Sequence, residues 1–161
     1  MANFKTKEIN ILPDRSLMPK IGQTGYSVSQ AISELVDNSI DARQEDKALT
    51  VEIYLDSDKG VVEVSDDGIG MNESIAANSM KLAYSTKKNK LGEFGLGLKT
   101  ASTSLGKKFQ ILTTQKGSDE EYMLEYDEEK WLKSGDWTKH EMKIKTGVDK
   151  KRSGTTIRIK D

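Results

Sequence analysis

The chain has no cysteine and one histidine, His140, among its 161 residues. The first absence excludes a disulfide scaffold and a thiolate metal site, and the second leaves little material for zinc chemistry or a histidine-dependent triad. Charge of one sign is also lacking: 25 Lys and Arg stand against 26 Asp and Glu, a formal charge of −1. That balance excludes a globally basic, duplex-coating protein and names no nucleic-acid partner. No run of eighteen apolar residues occurs, and no apolar stretch follows the first charges, so neither a membrane span nor a leader is expected and the chain is read as cytoplasmic. Both prolines, Pro13 and Pro19, precede residue 20, and no linker or repeat divides the chain. Leu, Ile, Val and Phe supply 35 of the 161 residues, enough for one folded but polar domain covering residues 1–161. Catalysis must then rest on carboxylates, amides, lysines, hydroxyls and backbone.

What is present is placed unevenly. Five of the 13 glycines, Gly68, Gly70, Gly92, Gly95 and Gly97, lie between Asp67 and Lys99, where backbone would turn tightly or approach a ligand. Periodicity predicts a helix over 27–43, a hairpin of strands over 50–56 and 60–65, a helix from Asn72 to about Tyr84 and another over 96–105. Strands are predicted at 109–114, 122–126, 141–145 and 155–160. Early helices and late, hairpin-spaced strands indicate an α+β layer rather than a doubly wound parallel sheet.

Three segments carry candidate chemistry. In the first helix, Val28, Ala31, Ile32, Leu35, Val36 and Ala42 form an apolar arc, with Glu34, Asp37, Asn38 and Asp41 opposite. The i, i+4, i+7 spacing of Glu34, Asn38 and Asp41 lines up a carboxylate, an amide and a second carboxylate. No basic residue compensates them between Ile21 and Ala42, so a bound cation or substrate and a plain solvated face weigh about equally. In the second segment, Val61 to Ser65 runs into Asp66-Asp67-Gly68-Ile69-Gly70-Met71. A carboxylate at a strand end can accept from an exocyclic amine, yet Asp-Gly alone reads first as a turn. The third, Gly92-Glu93-Phe94-Gly95-Leu96-Gly97-Leu98-Lys99-Thr100, leads glycines into a helix whose amides can hold an anion. It fits neither the P-loop nor the dinucleotide-binding pattern, because Leu98 separates Gly97 from Lys99 and the glycine order is reversed. Upstream, Ser85 to Lys90 offers hydroxyls and positive charge.

These segments, in this order and followed by Gly154-Thr155-Thr156-Ile157, resemble the GHKL ATPase superfamily of gyrase B, the ninety-kilodalton heat-shock chaperones, histidine kinases and MutL. The resemblance spans about residues 26 to 160, and the motif running from Glu93 to Ser102 is similar to the MORC-like and related bacterial branches. It implies a Bergerat-type fold: a two-layer sandwich with a mixed, mostly antiparallel sheet, helices on one face and a glycine-rich lid over ATP. By position, Glu34 matches the base that activates water, and Asn38 the amide that ligates magnesium. Asp66 matches the carboxylate that receives the adenine amine, with Gly68 and Gly70 beside it. Gly92, Gly95 and Gly97 match the lid, the amides of Leu96, Leu98 and Lys99 its phosphate donors, and Thr155 the threonine near adenine. Asp37, Asp41 and Met71 are placed near the pocket.

The implied activity is binding of magnesium-ATP and slow hydrolysis to ADP and phosphate. Lid closure would drive a nucleotide-dependent homodimer or a following transducer or effector domain. A nucleotide-switched module with negligible turnover is the rival, and a histidine-kinase-type catalytic domain the third reading. Glu34 speaks against the third, since such kinases use no water-activating glutamate there. Lys87, Lys88 and Lys99 are candidates for the terminal phosphate. Trp131 and Trp137 mark either a partner surface or the edge of a small core, the latter being the commoner use of such residues.

Overall fold

A computed structural model describes residues 5–85 and 95–161. The second helix of the chain shows how local sequence sets the frame. Ser27 accepts from the amide of Gln30 at 3.2 Å while the Gln30 side chain accepts from the amide of Ser27 at 2.9 Å. This reciprocal cap starts α2 (Val28–Asp41). Ahead of it, the short α1 (Leu17–Gly22) was not expected from periodicity. Its Pro19 falls in the first turn, where no amide is needed. Gly22 brings α1 onto the helix of the third segment, α4 (Gly97–Leu105): a Cβ there would stand 2.4 Å from the Thr103 carbonyl.

The strands are β1 (Val51–Asp56), β2 (Val61–Asp66), β3 (Lys108–Thr114), β4 (Glu120–Asp127), β5 (Met142–Thr146) and β6 (Gly154–Lys160). They form one six-stranded sheet in the order β1-β2-β6-β3-β4-β5, with every described pairing antiparallel. The α+β, mostly antiparallel expectation therefore holds. Alternation divides the two faces. Val64, Ile111, Leu124, Ile157 and Ile159 point at the helices and are almost wholly buried with Ala31, Leu35, Ala76 and Ala101. The other face is polar, with Arg158 donating to Glu63 at 2.5 Å and Gln110 to Glu125 at 2.6 Å.

Two expectations shift. Val28, assigned to the apolar arc of α2, is 61% exposed; the buried stripe is Ala31, Leu35 and Ser39, rotated so that a hydroxyl faces inward. The helix begun at Asn72, α3 (Glu73–Ser79), keeps its cap, the Ile75 amide donating to Asn72 at 2.8 Å. It stops well before Tyr84, and Ala83 has φ 57°, a left-handed conformation that no helix continues through. A further helix, α5 (Glu128–Ser134), follows β4. Its Trp131 packs edge-on against Trp137 at 4.9 Å and donates to the Arg15 carbonyl at 2.9 Å. Both tryptophans are partly buried against the core, which supports the core-edge reading.

Candidate functional site

The inward face of the sheet changes character at one end. Along β3 it runs Phe109, Ile111, Thr113, and along β6, read backwards, Ile159, Ile157, Thr155; the register pairs them in that order. On β2 the inward positions run Val62, Val64, Asp66. A hydroxyl pair and a carboxylate thus replace the apolar rows where the strands end. Over this end lies a cleft of 280 Å³ bounded by α2, α3 and the start of α4.

Asp66 is the polar floor. Its Oδ1 accepts from the amides of Gly68 at 2.9 Å and Thr155 at 3.2 Å, and its Oδ2 from the Ser39 hydroxyl at 2.9 Å. A carboxylate has about four acceptor positions, so the described donors leave capacity for one more. Burial raises its pKa above the ordinary carboxylate value, against the opposing pull of these hydrogen bonds. No cation pairs with it among the described residues. Its neighbour Asp67 behaves oppositely. It takes Lys47 at 2.5 Å and the Thr50 amide at 2.8 Å, its pKa is lowered chiefly by the Lys47 hydrogen bond, and it stays outside the cleft.

Glycines set the walls. Gly70 has φ +65°, and a Cβ there would meet the Thr114 carbonyl at 1.9 Å, so no other residue fits the turn. Gly97 opens α4 against Glu34: a Cβ would stand 1.8 Å from the glutamate Oε1. The carboxylate therefore rests on the first residue of α4. One helical turn on, Asn38 donates its amide nitrogen to the Glu34 carbonyl at 2.9 Å, which orients the amide. Among the described residues no side chain caps the N-terminus of α4, the kind of helix start at which first-turn amides suit an anion. Lys99, 2% exposed, donates Nζ to the Ser79 carbonyl at 2.9 Å, and burial pushes its pKa down to about 8.

Most residues expected from the sequence come together. Glu34, Asn38, Asp41, Asp66, Gly70, Met71, Gly95, Gly97, Leu98, Lys99 and Thr155 line the cleft. Asp41 is exposed at its mouth, and Asp37 is exposed and does not line it. Gly68 is buried behind Asp66 and acts through its amide; Leu96 precedes α4 and is not part of the lining. Gly92, Lys87 and Lys88 lie outside the described residues.

Three residues were missed. Ser39 holds Asp66 from α2, and its signal was a serine inside a helical apolar stripe. Thr113 ties Thr155 to Met71, and its signal was a hydroxyl where the β3 alternation calls for an apolar residue. Gln44 braces the turn from behind, donating to the carbonyls of Asp67 at 2.9 Å and Gly68 at 3.2 Å; no pattern announced it.

Among the described residues no cluster of three or more His, Cys, Asp or Glu could cage a metal. A hard ion held by one amide oxygen, waters and substrate phosphates needs no such cage, and the oxygen-donor set at Asn38 fits magnesium in that mode. No helix of the described chain is long and apolar enough to cross a membrane.

The chain is similar to three MORC proteins over about half its length. It is 34% identical over 88 residues to the ATPase morc-1 of Caenorhabditis elegans, covering 54% of this chain and 10% of that protein. It is 36% identical over 92 residues to the ATPase MORC2 of Homo sapiens, 52% of this chain and 8% of that one. It is 32% identical over 95 residues to Protein MICRORCHIDIA 5 of Arabidopsis thaliana, 54% and 13% respectively. The aligned stretches thus span roughly a tenth of these relatives. The model of one family, described as histidine kinase-, DNA gyrase B- and HSP90-like ATPase, matches residues 26–155, which takes in α2, the turn of Asp66, α4 and the start of β6. With residues 26–155 of the 161 matched, this chain belongs to the histidine kinase-, DNA gyrase B- and HSP90-like ATPase family.

Proposed function

We propose that this domain binds ATP with magnesium in the cleft between α2 and α4 and hydrolyses it slowly to ADP and phosphate. The observation that carries the reading is the half-buried Asp66, held by neutral donors with one acceptor position to spare, in the same cleft that Glu34 and Gly97 line. Asp66 accepts a hydrogen from the adenine amine, and Gly70 lets the flat base approach backbone. The phosphates lie at the N-terminus of α4. Asn38 would hold magnesium, which when bound would draw charge from the phosphate oxygens. Glu34 takes a proton from a water as that water's oxygen bonds to the terminal phosphorus and the bond to the ADP oxygen breaks. Positioning and charge stabilisation do most of the work, which fits a slow enzyme. Closure of the lid, a nucleotide-dependent homodimer and a following effector domain belong to the same reading.

Glu34→Ala tests it. Binding of ATP is retained while phosphate release falls by about 10²- to 10⁴-fold, the usual worth of a general base; unchanged release removes Glu34 from that role. If the wild-type chain binds ATP without releasing phosphate, the nucleotide-switched module replaces the enzyme.

A further inference from the structure

Thr113 is 1% exposed, and its hydroxyl touches three groups at once. It accepts from the Met71 amide at 2.9 Å, lies 3.2 Å from the Gly154 carbonyl and 3.0 Å from the Thr155 hydroxyl. A threonine hydroxyl has one hydrogen and two lone pairs. Met71 takes one lone pair. A carbonyl can only accept, so the hydrogen goes to Gly154, and the second lone pair receives the hydrogen of Thr155. Only this arrangement makes all three bonds. Sending the Thr113 hydrogen to Thr155 instead leaves its contact with Gly154 unmade.

The consequence falls on Thr155, which lines the cleft and whose amide donates to Asp66 at 3.2 Å. With its hydrogen turned back into the protein, its oxygen faces the cleft as an acceptor. The floor then offers acceptors from both Asp66 and Thr155, and an acceptor pair reads a donor: an exocyclic amine is welcome and a carbonyl oxygen is repelled. We infer that Thr113 is a positioning residue that orients the Thr155 hydroxyl and so makes the cleft select 6-amino over 6-oxo purine nucleotides. The inference rests on the reading of the cleft as a purine-nucleotide site.

The test compares magnesium-ADP with magnesium-IDP by calorimetry, since these differ at the purine 6-position, an amine against a carbonyl with the accompanying ring proton. Wild type prefers ADP. In Thr113→Val, an isosteric change that removes the hydroxyl, Thr155 is free to turn its hydrogen outward. The ADP-to-IDP affinity ratio narrows roughly 2- to 12-fold, the span of one neutral hydrogen bond. Thr113→Ser restores the ratio. In a Thr155→Val background the Thr113 substitution no longer changes it, because Thr113 acts on the ratio through Thr155; Thr113→Ala gives the same comparison if Thr113→Val folds poorly. Parallel losses for both nucleotides, with the ratio unmoved, reduce Thr113 to a structural residue and overturn the inference. Wild type that binds neither nucleotide overturns the cleft reading itself, and the inference with it.

Discussion

The two faces of the sheet carry the same kinds of polar residue and use them in opposite ways. On the outer face three carboxylates meet cations: Glu63 takes Arg158 at 2.5 Å, Asp127 takes Lys108 at 3.0 Å, and Glu125 takes Lys143. On the inner face Asp66 meets two amides and a hydroxyl. The pKa shifts divide along the same line. Glu125 is lowered, chiefly by its hydrogen bond from Lys143; Asp127 is lowered by the Lys130 amide first and Lys108 second; Asp66 is raised, by burial first. A carboxylate satisfied by a cation is finished chemistry, whereas one held in place by neutral donors is positioned but still able to take a ligand's hydrogen. The pH dependence has opposite signs. Stability from Glu125 and Asp127 is present above the unfolded value and is lost as pH falls through their lowered folded values. The ionised form of Asp66 costs stability above its raised folded value, and that cost disappears as pH falls through it.

The contrast can be broken most severely at Gly97. A methyl group there displaces the Glu34 carboxylate, whose Oε1 lies 1.8 Å from the Cβ position. Gly97→Ala is expected to cut phosphate release about 10²-fold or more. Because the side chain that must move is flexible and Gly→Ala favours a helix, the melting temperature stays level or rises. A fall in melting temperature with release intact would contradict this.

A smaller effect is expected at Lys99, the buried cation of the cleft. Its pKa is lowered from 10.5 to about 8, so below pH 8 the folded chain carries a buried charge at a cost on the order of 3 kcal/mol. Between those values the unfolded chain holds more protons, and the cost is relieved as pH rises. Lys99→Met therefore stabilises the free domain at pH 7 and much less near pH 10, as urea unfolding at both pH values would record, while weakening nucleotide binding. Equal stabilisation at both would show that burial of the charge is not the cause. The smallest effect belongs to the outer face. Lys143→Ala breaks an exposed pair, and unfolding shifts by about 0.5 kcal/mol or less with ADP affinity unchanged; a loss of affinity would mean that the two faces are coupled.

The sequence carried the strands and the start of α3 well, since period-two alternation and the Asn72 signal are local. The order of the sheet was not legible, because the return of β6 between β2 and β3 depends on contacts far apart in the chain. The α2 stripe was misjudged at Val28 because hydropathy alone cannot say that a helix rotates to bring Ser39 onto Asp66. Glu34, Asn38 and Asp66 were legible through spacing and family pattern, but their supports were not. Ser39 and Thr113 are polar residues on apolar faces, a signal that becomes specific only once the register brings Thr113 beside Thr155.

In the proposed function Asp66 reads the nucleotide base from the floor of the cleft. Calorimetric titration of Asp66→Asn with magnesium-ADP tests it most directly, with circular dichroism to show that the domain remains folded. Wild type is expected to bind measurably and the variant about tenfold or more weakly, since a charged acceptor is worth about 1.5–3 kcal/mol. Undiminished affinity in a folded Asp66→Asn chain would contradict it.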